Sequence, residues 1–172
     1  TVILEKQGAT GGVSVRGSSP ATRETDLLKS ENAVEKVNAV FLSGGSAFGL
    51  DSASGIVQYL AETGIGYQTS VMPVPIVCGA CLYDLEYKNA GFPDKELGYK
   101  ACENAKPGNF ESGNVGAGCG ATVGKVLGAM SASKGGLGVA TFAFDDGVEM
   151  CAIVAVNAFG DINTKRTLLY SL

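Results

Sequence analysis

The segment "NAVFLSGGSAFGLDSASGIVQYLAETG", Asn38 to Gly64, constrains the fold more than any other part of the chain. Its first half is a short apolar run that stops at Gly44-Gly45, as a buried strand does before a tight turn. In its second half Leu50, Ala53, Ile56, Val57 and Leu60 recur at helical spacing, and Gly64 stands where a helix C-cap belongs. A buried strand that turns straight into an amphipathic helix places the chain among mixed α/β proteins.

The remaining elements follow from the same signals. Thr1 to Leu4 and Gly12 to Val15 read as short β-branched strands, and "SSPATRETDLL" as a polar loop around Pro20 that leads into a short helix or turn. "MPVPIVCGACLYDL" is extended, because Pro73 and Pro75 exclude a helix. "ELGYKACENA" is a second helix. Near the end, two apolar runs flank Asp145-Asp146-Gly147, the pattern of an antiparallel hairpin with a short glycine-containing loop. No repeat or linker interrupts the 172 residues, a length that suits one domain, residues 1–172.

Composition narrows the function. An apolar fraction of 45% with 17% charged residues indicates a globular chain, and a net charge of −4 argues against nucleic acid as a partner. No apolar run reaches the roughly 18 residues of a membrane span. Five cysteines are an odd count at low density, which favours a reducing, cytoplasmic compartment over a disulfide scaffold. The chain contains no histidine, so no Ser-His-Asp or Cys-His mechanism can be built from it, and the commonest metal ligand is missing. Neither a metal nor a cofactor is expected.

"ESGNVGAGCGATVGK", Glu111 to Lys125, resembles a phosphate loop only superficially. A Walker loop needs glycine five residues before its Gly-Lys and a hydroxyl residue after it; here those places hold Cys119 and Val126. Gly116, Gly118 and Ala121 fit a loose dinucleotide pattern, yet no good strand precedes them and no acidic residue follows at the required distance. Cys78-Gly-Ala-Cys81 has redox spacing, but it lies inside an apolar extended run, where thiols serve as small core residues.

Three residues carry more chemistry. Asn157 closes the apolar run "CAIVAVNAFG", and an amide donor at a strand end can form half an oxyanion hole; a turn-forming asparagine before Gly160 is the other reading. Tyr83, after an apolar strand, and Lys125 are by themselves a rim aromatic and a solvated cation.

Taken together, "VRGSSPATRETDLL", "VNAVFLSGGSAFGLDSASGIVQYLAETGIGY", "VPIVCGACLYDL", "GNVGAGCGATVGK", "KGGLGVATF" and "IVAVNAFGDI" resemble, in order and spacing, the L-aminopeptidase/D-esterase family of self-processing hydrolases. That family includes β-peptidyl aminopeptidases and nylon-oligomer hydrolases. The resemblance implies a four-layer α/β/β/α sandwich with mixed, partly antiparallel sheets. It also implies a single self-cleavage that makes a Ser or Thr the first residue of a second, smaller chain. That residue is the nucleophile and its own α-amine the base, a mechanism that needs no histidine.

Carried over by the same resemblance, Asn157 donates to the oxyanion, Tyr83 assists substrate or transition-state binding, and Lys125 lies beside the nucleophile. The expected partners are the complementary smaller chain, a peptide or amide substrate, and further copies in a homo-oligomer. Relative to the family, the chain lacks a short stretch before "TVIL" and the nucleophile-bearing segment after "NAFGDI", so it corresponds to most of the larger subunit. Thr1 matches an early strand rather than a processed end, and Asn163-Thr164 comes too soon after "NAFGD", with a tail "KRTLLYSL" unlike the second chain; neither is expected to be the nucleophile. Two alternatives stay open: a non-catalytic binding or assembly protein on the same fold, and an acyltransferase of the ornithine-acetyltransferase kind.

Overall fold

A four-stranded sheet organises the first half of the chain. Its strands are β1 (Val2–Thr10), β2 (Thr22–Arg23), β3 (Lys36–Ser43) and β4 (Val77–Cys81), in the order β1-β3-β4-β2. β1 runs antiparallel to β3 and β2 antiparallel to β4, whereas β3 and β4 are parallel. Parallel neighbours require a crossover. Here it contains helix α1 (Ser52–Glu62), entered through a tight 3-10 turn at Ser46–Asp51. The structure, a computed structural model, describes residues 1–108, 110–164 and 167–168.

α1 ends as its sequence foretells. Gly64 takes φ +74°, its N–H donates to Ala61 O at 3.0 Å, and Ile65 N–H donates to Leu60 O at 2.9 Å, the paired bonds of a Schellman cap. Helix α2 (Lys95–Glu103) is capped at its start by Asp94, whose carboxylate accepts from Leu97 N–H at 2.9 Å. The two helices touch backbone to backbone. A Cβ on Gly55 would overlap the Lys95 carbonyl oxygen, and one on Gly98 the Ser52 carbonyl oxygen, so both positions need glycine.

The helices cover one face of the sheet. Phe41, Ala39 and Val77 from the strands bury against Ala53, Ile56 and Leu60 of α1 and Cys102 of α2. A smaller cluster of Val37, Ile76 and Cys78 is roofed by Leu27, Leu28 and Val34. Leu27 and Leu28 belong to the 3-10 turn Asp26–Leu28, the turn foreseen after Pro20.

One strand expected from sequence is absent. Gly12 to Val15 form no strand; β1 instead continues from Val2 to Thr10 past an irregularity between Leu4 and Ala9, where Gly8 takes φ +76°. The reason is partner length. Thr10 pairs with Lys36, the first residue of β3, so nothing remains for residues 12–15 to pair with.

The second half is built from short antiparallel pairs. β5 (Thr122–Val123) pairs with β6 (Ser133–Lys134), and β7 (Gly136–Ala143) with β8 (Glu149–Val156) in unbroken register from Gly136↔Val156 to Ala143↔Glu149. The hairpin turns where Asp145-Asp146-Gly147 foretold it, with Gly147 at φ +86°. A last short pair joins β9 (Asn163–Thr164) to β10 (Thr167–Leu168); the rest of the tail from Lys165 lies outside the described residues. Parallel and antiparallel pairs thus coexist with packed helices, a mixed α/β chain. No described helix is long and apolar enough to cross a membrane.

Candidate active site

Two chain segments that meet after β8 position the site. Asn157 follows Val156, the last residue of β8. Lys125 follows Gly124, whose φ of +73° turns the chain into the 3-10 turn Lys125–Leu127. Backbone bonds from Gly124 N–H to Gly160 O and from Lys125 N–H to Phe159 O, both 2.9 Å, fasten the two segments together. The loop that carries Lys125 is therefore fixed to the loop that carries Asn157.

The side chains then converge. Lys125 Nζ donates to Asn157 Oδ1 at 2.9 Å and to Asn157 O at 3.2 Å, while Thr122 N–H donates to the same Oδ1 at 2.9 Å. Both lone pairs of the amide oxygen are occupied. On the other side Asn157 Nδ2 donates to the backbone oxygen of Tyr83 at 2.7 Å. Two donors facing Oδ1 and an acceptor facing Nδ2 fix the sense of the amide. Nδ2 carries a second proton beyond the one given to Tyr83.

All three residues singled out from sequence meet here, Tyr83 in a different manner from the others. It contributes its carbonyl, held at the end of β4 where Leu82 N–H donates to Ser43 O and Ser46 N–H to Leu82 O, both 2.8 Å. Its exposed hydroxyl donates to Glu86 Oε1 at 3.1 Å, and that bond, with the carboxylate charge, raises the phenol above its ordinary pKa. The Lys125 ammonium is shifted down from 10.5, mainly by burial, against the opposing pull of Glu86 and Asp84. Burial of the ammonium thus outweighs the attraction of the two carboxylates.

Asp84 follows Tyr83 in the chain and faces the glycine turns. Its Oδ1 accepts from Gly45 N–H at 2.7 Å, and a Cβ on Gly44 or Gly120 would overlap its carboxylate. Two glycine clusters far apart in sequence close on one side chain. The pairing was invisible beforehand because a glycine does not announce what its missing Cβ makes room for. A cleft of about 610 Å³ opens beside Asp84, Gly44 and Gly120, but neither Lys125 nor Asn157 lines it.

The other sequence motifs separate from this cluster. Gly116 to Gly118 form a 3-10 turn with no helix of anion-binding length behind it, and Cys119 Sγ donates to Asn114 O at 3.3 Å. Cys78 and Cys81 are free thiols on opposite faces of β4, Cys78 in the small cluster and Cys81 against the main core. Burial raises Cys78 and pushes Cys81 to about 11, the reverse of redox activation. Thr1 Oγ1 accepts from Ala117 N–H at 3.1 Å. Among the described residues, no group of three or more His, Cys, Asp or Glu could hold a metal ion.

Known proteins share this arrangement of sequence. An uncharacterized aminopeptidase of Mycobacterium leprae is 39% identical over 175 residues, and one of Mycobacterium tuberculosis 40% over 168, each match covering 97% of this chain. The 6-aminohexanoate-oligomer endohydrolase of Kocuria sp. is 34% identical over 127 residues, covering 73% of this chain and 33% of its own length. The chain spans 46% of the length of the two mycobacterial relatives. The model of peptidase family S58 matches residues 1–168, and the chain belongs to that family.

Proposed function

We propose that this chain is the larger part of a self-processed amidohydrolase that releases N-terminal residues from peptides, amides or esters through an acyl-enzyme. The nucleophile is a Ser or Thr at the start of a second, smaller chain from the same precursor, and its α-amine takes the hydroxyl proton. As that oxygen bonds to the substrate carbonyl carbon, the carbonyl oxygen becomes an oxyanion; the proton then passes to the leaving amine. Water completes the cycle by releasing the acyl group.

The observation that carries the reading is the bonding of Asn157. With Oδ1 held by the Lys125 ammonium and Thr122 N–H, electron density in the amide is drawn from nitrogen to oxygen, and the second Nδ2 proton, made a stronger donor, remains for an oxyanion. Lys125 acts through this amide and stands beside the nucleophile. The Tyr83 carbonyl holds the first Nδ2 proton, while the phenol, its one proton given to Glu86, presents its oxygen as an acceptor toward substrate. The exposed apolar side chains of the hairpin, Phe142, Met150 and Val154 among them, support a larger four-layer α/β/β/α sandwich in which further chain covers that sheet. Peptide or amide substrates and homo-oligomeric assembly belong to the same reading.

The test is intact mass of the full-length gene product, followed by turnover. Two fragments are expected, the smaller beginning with Ser or Thr. Asn157→Ala should lose about 2.7 to 4 kcal/mol of transition-state stabilisation while processing and folding are monitored separately. An active protein that remains one uncleaved chain, or an Asn157→Ala variant with undiminished kcat, defeats the proposal. A processed protein that hands its acyl group to an added amine in preference to water is a transferase instead.

A further inference from the structure

The lysine of the "KGGLGVATF" motif has no part in the chemistry above, yet it is among the most fully engaged side chains in this half of the molecule. Lys134 Nζ donates to Gly118 O at 2.6 Å, to Ala121 O at 2.8 Å and to Gly135 O at 3.4 Å. It also stands 5.3 Å from the centre of the Tyr87 ring, within cation–π range. All three acceptors are backbone carbonyls. An ammonium with three protons on one rotatable nitrogen can serve three converging carbonyls, a task unsuited to the planar fork of arginine.

What those carbonyls belong to matters. Gly118 and Ala121 bracket the end of the glycine-rich turn, and Ala121 immediately precedes Thr122, whose N–H holds Asn157 Oδ1. Ala121 O also accepts from Gly135 N–H at 2.9 Å, and Thr122 pairs with Lys134 across β5 and β6. Tyr87 lies on the segment that follows Tyr83, whose carbonyl takes the Asn157 amide proton. Lys134 therefore touches both the loop that holds the Asn157 amide oxygen and the segment that holds its nitrogen.

We infer that Lys134 is a positioning residue: its ammonium ties the turn Gly118–Ala121 to β6 and so holds Thr122 N–H against Asn157 Oδ1, which aims the free Nδ2 proton. The catalytic part of this statement rests on the function proposed above; the positioning part does not. With the ammonium removed, the carbonyls of Gly118, Ala121 and Gly135 lose a charged donor, the tie from this turn to the Tyr87 ring is lost, and the Thr122 bond loosens. A small displacement of an oxyanion donor is enough to cost rate.

The experiment compares Lys134→Met with the unaltered full-length protein in two ways. In a ¹⁵N spectrum of asparagine-labelled protein, the Asn157 side-chain signals, identified by their loss in Asn157→Ala, should shift and broaden in Lys134→Met. With aminoacyl p-nitroanilides, kcat should fall about tenfold to a hundredfold with KM nearly unchanged. In the Asn157→Ala background the same Lys134→Met change should cost nothing further. Unchanged Asn157 signals, or a loss that persists in full without Asn157, overturn the inference. If Asn157→Ala itself leaves kcat intact, the proposed oxyanion role fails while the spectrum still decides whether Lys134 positions Asn157. Should Lys134→Met not fold, Lys134→Gln, which keeps a neutral donor but loses the charge, carries both measurements, with the same directions expected at smaller amplitude and the same results overturning the inference.

Discussion

Lys125 Nζ donates to Asn157 twice, to Oδ1 at 2.9 Å and to the backbone oxygen at 3.2 Å, so one ammonium grips both the side chain and the main chain of the same residue. Lys125→Met leaves Thr122 N–H as the remaining donor to Oδ1. A hydrogen bond to a charged group contributes about 1.5 to 3 kcal/mol, so kcat should fall roughly tenfold to a hundredfold. Steady-state kinetics on the full-length protein check this. A fall in kcat/KM caused by KM alone would mean that Lys125 binds substrate and does not polarise the amide.

The same ammonium sets a pH dependence. Burial lowers the Lys125 pKa from 10.5, and the nearby Glu86 and Asp84 charges oppose that shift. Between the lowered value and 10.5 the folded state binds fewer protons than the unfolded state, so this group's contribution to stability rises with pH in that window. Activity moves the other way, because the donor is the charged form. Glu86→Gln removes the first of the two opposing charges, so the alkaline fall in kcat should begin at lower pH. Glu86 also raises the Tyr83 phenol, so the comparison is repeated in Tyr83→Phe. A shift that vanishes there assigns the limb to Tyr83 and not to Lys125.

Much of this is legible in the sequence alone. The apolar run before Gly44-Gly45, the helical spacing from Leu50 to Leu60 and the cap at Gly64 are local signals, and local signals are read one residue at a time. The hairpin at Gly147 was legible for the same reason. Gly12 to Val15 misled because strand propensity says nothing about partner length, and β3 starts only at Lys36. Asn157 stands out by its place at a strand end, and the resemblance adds Lys125 and Tyr83, but neither signal says that Tyr83 meets Asn157 with its carbonyl. Lys134 leaves no mark in the sequence because its acceptors are backbone carbonyls, and Thr122 leaves none because it takes part through its own backbone N–H.

The helix pair supplies a stability test independent of function. A Cβ on Gly98 would overlap the Ser52 carbonyl oxygen, and rigid backbone on both sides leaves it nowhere to go. Overpacking costs about 1 to 3 kcal/mol. The intrinsic helix preference of alanine returns up to about 1 kcal/mol. Taking the middle of the first range, Gly98→Ala should therefore lower stability by about 1 kcal/mol, or Tm by roughly 2 to 4 °C for a chain of this size. Gly160→Ala, where nothing lies within 4 Å of an added Cβ, should leave the melting curve in place. Equal melting temperatures for both variants would show that α1 and α2 do not meet at Gly98.

The cysteines give a chemical test of the sheet. Cys78 and Cys81 sit three residues apart on β4, so their side chains leave opposite faces, one into the small cluster and one toward the main core. They cannot be bridged without breaking the strand. Their thiols are also poor nucleophiles at neutral pH, since burial raises Cys78 and pushes Cys81, like Cys102, to about 11. Iodoacetamide at pH 8 should leave all three unlabelled in the folded protein and label them once it is denatured, with peptide mass mapping as the readout. Oxidised glutathione should produce no Cys78–Cys81 disulfide. Rapid native labelling of Cys81, or that disulfide forming with the fold intact, would require β4 to run in another register, and the parallel pairing of Ser43 with Cys81 that sets Tyr83 beside Asn157 would fall with it.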